Sequence, residues 1–261
     1  MARNTRVFAA IAALSLVVAA CGGSSDTSTG GALELVKDGA LTVCSDIPYE
    51  PFEFKAEDGT YTGFDMDLMR AIAELNNLEL EVSEQSFDGI WLAPAAGKCD
   101  VVASSMTITE ERTQAADFTD GYFDSYQSLL VLNENKDTLN SIESLTGKTI
   151  AVQTGTTGEE YAKANVPEAK LQSFDEASAM FLAFEAGQVD AILQDYPINA
   201  YRAVKQGTST VSIKFNTETE KYGFAVEKGD TELLKVLNEG LATLKTNGTY
   251  DSIFAKYFGK D

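Results

Sequence analysis

The chain has 261 residues, 40 acidic against 20 basic side chains, a formal charge of −20 and 44% hydrophobic residues. That length supplies one large domain or two modest ones with packed cores, and the acid excess lacks the basic patch that nucleic acid or an anionic lipid surface requires, while suiting a cationic small ligand. Histidine is absent, which removes the commonest general base, the commonest metal ligand and every Ser-His or Cys-His arrangement, so neither a metal nor a cofactor is expected.

Residues 1–20 read as a leader. Arg3 and Arg6 precede an apolar run from Val7 to Ala20 that is too short for a membrane span. The run ends Leu16-Val17-Val18-Ala19-Ala20-Cys21-Gly22, and small residues before a cysteine at that place resemble a bacterial lipobox. This implies cleavage before Cys21, a lipid on its sulfur and an exported protein held on the outer face of the bacterial cell membrane by that anchor. Loss of Arg3 and Arg6 takes the charge to about −22. Residues 21–37 are expected as a flexible tether, on the Gly/Ser/Thr-rich stretch Gly22–Gly31.

Leu41–Cys44 reads as a buried strand running into a loop with Pro48 and Pro51. Glu53–Tyr61 reads as a hairpin turning at Asp58-Gly59. Gly63-Phe64 opens a helix through Leu75, with Phe64, Leu68, Ile72 and Leu75 at helical spacing. Leu78–Val82 alternates as a strand, and Phe87-Asp88-Gly89 begins a short helix expected to end at Gly97. Val101-Val102-Ala103 is a further buried strand. It feeds Ser104-Ser105-Met106-Thr107-Ile108-Thr109-Glu110-Glu111-Arg112. A guanidinium is a rigid fork suited to gripping a carboxylate through two bonds. Arg112 is therefore either an anion grip or a loop arginine paired with Glu110 or Glu111. Cys44 and Cys99 are either two buried thiols or one bridge. If their strands are parallel neighbours, Cys44 near the end of one and Cys99 near the start of the other would stand farther apart than the usual limit of about 7 Å.

Gly147–Val152 is another buried strand, ending at Gln153-Thr154-Gly155-Thr156-Thr157. Thr157 with Glu160 fits a capping box opening a helix, and the free N–H groups of such a start attract anions. Phe174–Ala186 reads as a helix whose Phe174, Ala177, Phe181 and Phe184 face a core. Val189–Leu193 is a strand ending at Gln194-Asp195, after which Asp195 is either a helix N-cap or a site residue. Ser86-Phe87-Asp88 to Asp100-Val101 is echoed by Ser173-Phe174-Asp175 to Asp190-Ala191. The echo maps one lobe onto the other, matching Asp195 to Ser105 and Gln153 to Asp46. Phe224–Val226 reads as a strand and Thr231–Thr246 as an amphipathic helix ended by Asn247-Gly248, with Tyr250–Phe258 a final helical turn or two. The order implies an α/β fold of two similar lobes, each a mostly parallel sheet flanked by helices, with ligands at the carboxyl ends of strands. The lobes are expected as residues 38–124 with 224–261 and residues 125–223, joined by a two-stranded hinge.

The segments Asp46–Phe54, Gly63–Leu68, Met106–Arg112, Asp117–Asp120, Gln153–Glu159 and Asn247–Tyr250 resemble, in order, the signature segments of polar amino-acid solute-binding proteins of ABC importers, the family 3 periplasmic-type proteins. The resemblance spans nearly all of residues 38–259. It implies the type II periplasmic-binding-protein-like fold and a free L-amino acid as ligand. It implies that Arg112 clamps the α-carboxylate, assisted by Thr107 and the backbone near Thr157. It further implies that Asp195, helped by Ser105, takes the α-ammonium, that Tyr49 and Phe87 wall the side chain, and that Asp46 reaches its far end. Glu50, Ser104, Gln153, Thr156 and Gln194 complete the candidate ligand-binding set.

The expected action is binding with hinge closure and delivery to an ABC permease, without covalent chemistry and as a monomer. Asp46 and Glu50 favour arginine, lysine or ornithine, and an Asp46 contact would equally suit glutamine. The competing readings are a sensor ectodomain partner and a cyclohexadienyl-dehydratase-like enzyme on the same frame.

Overall fold

The structure is a computed structural model and describes residues 33–215 and 219–259; the leader and Cys21 lie outside them. The first part contains β1 (Ala40–Ser45), a hairpin of β2 (Phe54–Lys55) and β3 (Tyr61–Thr62), helix α1 (Phe64–Leu75), β4 (Glu79–Glu84), β5 (Val101–Val102), α2 (Glu110–Ala115), β6 (Ala116–Phe118) and β7 (Phe123–Ser125). The middle contains β8 (Gln127–Leu132), β9 (Thr149–Gln153), α3 (Thr157–Asn165), β10 (Lys170–Phe174), α4 (Ala177–Glu185), β11 (Ala191–Asp195), α5 (Tyr196–Gln206) and β12 (Ser209–Lys214). The chain ends with β13 (Glu220–Tyr222), β14 (Ala225–Glu227), α6 (Thr231–Thr246) and α7 (Thr249–Phe258).

Two five-stranded sheets result, in the orders β4-β1-β5-β14-β6 and β10-β9-β11-β8-β12. In each, the first three strands are parallel and the fourth runs antiparallel to both neighbours. The middle strands β1, β9 and β11 are buried along nearly their whole length, as expected of strands covered on both faces. The antiparallel pair β7–β13, with Phe123 opposite Tyr222, carries both crossings between the sheets. This is an α/β architecture of two sheets flanked by helices.

The sequence echo has a physical counterpart. Asp100 and Asp190 each precede the third parallel strand of their sheet. The Asp100 N–H donates to the Thr42 carbonyl while its carboxylate accepts from the Thr42 N–H at 2.6 Å. Asp190 does the same to Thr149, accepting from its N–H at 2.8 Å. One aspartate thus pins each incoming strand to the middle strand beside it.

The β7–β13 joint is held from below by rings. Phe123 stacks on Tyr222 with centroids 5.6 Å apart, and Phe52 meets both edge-on. Phe64 of α1 contacts Tyr250, Phe254 and Phe258 of α7. Edge-to-face pairs of this kind add to the area they bury. The N-terminus of α1 docks directly on the Pro51–Phe52 backbone, where the Phe64 and Asp65 N–H groups donate to the Pro51 and Phe52 carbonyls at 3.0 Å.

Several sequence expectations need correction. The tether does not reach residue 37: Leu33 and Leu35 pack against the core and the Val36 N–H donates to Asp100, because apolar residues resume after Gly31. The helix expected from Phe87 to Gly97 is a single 3-10 turn, Ile90–Leu92, since Gly89 is left-handed and Pro94 removes a donor. Phe174 ends β10, and the helix starts at Ala177. The cap of α3 is Thr156, whose hydroxyl accepts from the Glu159 N–H, one residue before the expected box. Cys44 and Cys99 form a disulfide with Cα atoms 5.7 Å apart. The anticipated offset does not arise because β5 begins at Val101, which pairs with Val43, and Cys99 lies before it in the turn that runs alongside β1.

Gly63 has φ +122°, and a Cβ there would overlap the Phe52 carbonyl. Gly59, at φ +86°, faces open space. Gly63→Ala is therefore expected to lower stability by about 3 kcal/mol or more, a drop of roughly 6–12 °C in melting temperature, against about 1 kcal/mol for Gly59→Ala. Circular-dichroism melts of the two variants test this ordering.

Candidate ligand-binding site

The carboxyl ends of β1, β5, β9 and β11 converge on one cleft. Asp46, Tyr49, Phe87, Ser104, Ser105, Thr107, Arg112, Gln153, Thr156, Thr157, Gln194 and Asp195 line one narrow cavity. Every residue of the sequence-based set is thereby brought together except Glu50. Its carboxylate turns away and accepts from Lys205 Nζ of α5 at 2.6 Å on the surface. Tyr49 and Glu50 are chain neighbours, and in this loop they point to different sides.

Arg112 follows from a local device. Thr109 caps α2 by accepting from the Arg112 N–H at 3.2 Å, so the side chain leaves the first turn towards the cleft. The residue is buried, 3% exposed. Nη1 donates to the Thr107 carbonyl at 2.7 Å and Nη2 to the Gly155 carbonyl of the other lobe at 2.9 Å. Its Cζ lies 5.3 Å from the centroid of the Phe87 ring and 5.1 Å from that of Trp91. Glu110 and Glu111 are exposed, and the ion pairs among the described residues do not include Arg112. The surface ion-pair reading is thus removed. Burial draws the guanidinium pKa down, while the negative field of Glu160, Asp195 and Glu220 opposes it. A buried cation held by carbonyls is short of an anion.

Asp195 occupies the N-cap position of α5, yet its side chain makes no capping bond. One oxygen accepts from Gln127 Nε2 at 2.6 Å and the other from the Tyr222 hydroxyl. Burial, and then the Glu220 carboxylate, push its pKa to about 7; Arg112 pulls the other way. Asp46 accepts from Gln153 Nε2 across the cleft at 2.6 Å, uniting the pair that the sequence echo matched. Burial raises its pKa to about 7 as well, with Glu176 adding to the rise.

The hydroxyls have more specific duties than their positions in the sequence suggest. Ser104 accepts from the Asp46 N–H at 3.0 Å. Ser105 sits at φ +47°, and its N–H donates to Asp65 at 2.9 Å. Both serine hydroxyls lie within hydrogen-bond reach of the fully buried Glu53 side chain. Thr156 is the α3 cap and donates to the Gln153 carbonyl at 2.7 Å. Thr107 and Thr157 each give their hydroxyl proton to Glu220, at 2.8 Å. The Gln194 amide donates to Asn199 at 2.9 Å, which ties it to α5.

Four contributors escaped sequence reasoning: Trp91, Gln127, Glu220 and Tyr222. Trp91 follows Phe87 at i+4, a faint helical signal that was available. The other three stand on or beside the crossing strands, whose place over the cleft is set by the packing of the two sheets. The site as a whole offers one buried cation and two buried carboxylates. Its complement is a small molecule with one carboxylate and one or two cationic groups.

The chain matches the family described as bacterial extracellular solute-binding proteins, family 3, over residues 41–260. It is 33% identical over 260 residues to a probable histidine-binding protein of Neisseria gonorrhoeae, covering 98% of this chain and 96% of that one. An ancestral arginine-binding protein bound to arginine superposes with a TM-score of 0.80 at 38% identity, covering 85% of this chain and 99% of the other. The ancestral amino acid-binding protein AncCDT-1, a precursor of cyclohexadienyl dehydratase, superposes with a TM-score of 0.79 at 40% identity, covering 84% and 96%. With a family model matched over residues 41–260, a relative 33% identical over almost its whole length and a matching fold, the chain belongs to the family 3 bacterial extracellular solute-binding proteins.

Proposed function

We propose that the protein binds a basic L-amino acid of the arginine, lysine or ornithine type and delivers it to an ABC permease by closure of two lobes about the β7–β13 hinge. The lobes are residues 38–124 with 224–261 and residues 125–223. Residues 1–20 are removed on export, and a lipid on Cys21 holds the monomeric protein at the outer face of the membrane. Its action is binding, without chemistry on the ligand.

The observation that carries the ligand class is charge balance. Arg112 takes the α-carboxylate through its fork, and Asp195 takes the α-ammonium, helped by the Ser105 hydroxyl. Asp46 then remains as a second buried carboxylate at the far end. A second cationic group on the ligand would compensate it; a neutral amide would leave it short of a charge. Tyr49 and Phe87 wall the stem between them. The ligand adds to closure by differential affinity, because it touches both lobes at once only in the closed form.

An enzyme of the dehydratase type would need an acid or base aimed into the cleft, and the pairing of Arg112 with Asp195 would then be unexplained. Incubation with prephenate is expected to release no phenylpyruvate.

Arg112→Ala is expected to weaken arginine binding by at least about 100-fold in calorimetry, and Arg112→Lys, which keeps the charge and loses the fork, by about tenfold or more. Near-normal affinity in both would refute the clamp. Asp46→Asn is expected to weaken arginine binding while sparing or improving glutamine binding; an equal loss of both would mean that Asp46 does not read the side chain.

Proton linkage has a definite sign. With pKa values of about 7 in the structure, Asp46 and Asp195 are largely protonated at pH 5 and ionised at pH 8. A cationic ligand requires the ionised forms, so binding below pH 7 releases protons and affinity falls as pH falls. From pH 8 to pH 5 the dissociation constant is expected to rise by at least about tenfold. Calorimetry in buffers of different ionisation enthalpy measures the released protons, and a constant affinity with no release would contradict the assignment.

A further inference from the structure

The hinge strand β13 presents Glu220 and Tyr222 on one face and Lys221 on the other, as the two-residue period of a strand requires. Lys221 pairs with Asp124 on the surface at 2.8 Å. Tyr222 reaches Asp195. Glu220 collects three donors from separate parts of the chain. Thr107 Oγ1, beyond the end of β5, donates to Oε2 at 2.8 Å. Thr157 Oγ1, in the first turn of α3, donates to the same oxygen at 2.8 Å. Gln127 Nε2, at the start of β8, donates to Oε1 at 2.9 Å.

Thr107 belongs to the first lobe, Thr157 and Gln127 to the second. The two threonine bonds coexist only while the rims are together. Glu220 itself is absent from the lining of the cavity, although Thr107 and Thr157 belong to it. The other bonds across the cleft, from Arg112 to the Gly155 carbonyl and from Gln153 to Asp46, involve groups that a ligand engages. A carboxylate accepting three hydrogen bonds is a strong, charge-assisted joint, and it sits on the strand about which the lobes turn.

We propose that Glu220 is a positioning residue that clasps the two lobes: its carboxylate holds Thr107 and Thr157 side by side and biases the protein towards the closed form before ligand arrives. The proposal rests on the two-lobe closing reading and not on the identity of the amino acid. The clasp also consumes the hydroxyl protons of both threonines. The incoming α-carboxylate is thereby left to the Arg112 fork and to the free N–H groups at the start of α3.

The test uses the mature protein, stripped of co-purified amino acids by unfolding and refolding with its disulfide intact. Small-angle scattering is recorded without ligand. The wild type is expected to stay compact, with a radius of gyration of about 17 Å. Glu220→Ala is expected to swell by roughly 1 Å, as a closed two-lobe body opens, and Glu220→Gln, which keeps the size and loses the charge, by less. Thr157→Val is expected to swell as Glu220→Ala does, and the double variant no further, because both remove one joint. Melting temperatures identify any variant that has lost its fold, in which case Glu220→Gln and Thr157→Val carry the comparison. A wild type already swollen, a Glu220→Ala protein as compact as the wild type, or a double variant that swells by the sum of the two would each overturn the proposal. These ligand-free measurements remain readable if arginine proves not to bind; failure of arginine alone would count against the ligand reading and not against the clasp.

Discussion

The structure depends most on one buried guanidinium. Arg112 is out of water, held by the Thr107 carbonyl on its own lobe and the Gly155 carbonyl on the other, and faced by Phe87 and Trp91. Carbonyl oxygens orient a cation but do not neutralise it. Removing such a charge from water costs several kcal/mol unless an anion repays it. The nearby acids are engaged elsewhere: Glu220 by two threonines and a glutamine, Asp195 by Tyr222 and Gln127. The fold thus holds a cation whose anion must come from outside, and binding is how the cost is met.

The opposite problem is set at the other end. Asp46 and Asp195 are buried carboxylates whose partners are neutral amides and a phenol. Burial raises both into the neutral range. The arrangement is thus unfavourable in its ionised form until cationic groups arrive. Each end is poor in what the other part of a basic amino acid supplies. Both sheets contribute to each end, so the same molecule that relieves the charges also joins the lobes. The scaffold keeps these groups in place without tightening around them. The sheets pin their strands through Asp100 and Asp190, and the rings of Phe52, Phe64, Phe123 and Tyr222 fix the joint from the side away from the cleft.

Much of this is legible in the sequence. Helices α1 and α6 begin and end where their apolar spacing and glycine signals place them, because a long amphipathic pattern leaves few alternatives. The strand tips that carry Asp46, Ser105, Gln153 and Asp195 were readable because buried strands are short apolar runs and sites lie just beyond them. What escaped was long-range. Glu220, Tyr222 and Gln127 lie on or beside the crossing strands, and no local pattern tells which of their faces meets the cleft. The Cys44–Cys99 bridge turned on where β5 starts, a matter of two residues. Glu50 is expected with Asp46 at the distal end of the pocket, and one step along an irregular loop from Tyr49 is enough to send it to Lys205 on the surface.

The claim that two buried carboxylates and one buried guanidinium select a basic amino acid is tested most directly by competition calorimetry at pH 8 on protein stripped of ligand. Arginine, lysine, ornithine, glutamine, histidine and cystine are compared on the same preparation. The charge balance predicts that at least one of arginine, lysine and ornithine binds tenfold or more tightly than each of the other three, since leaving one buried charge without its counter-ion costs more than about 1.4 kcal/mol. Glutamine or cystine binding as tightly as every basic amino acid would contradict it.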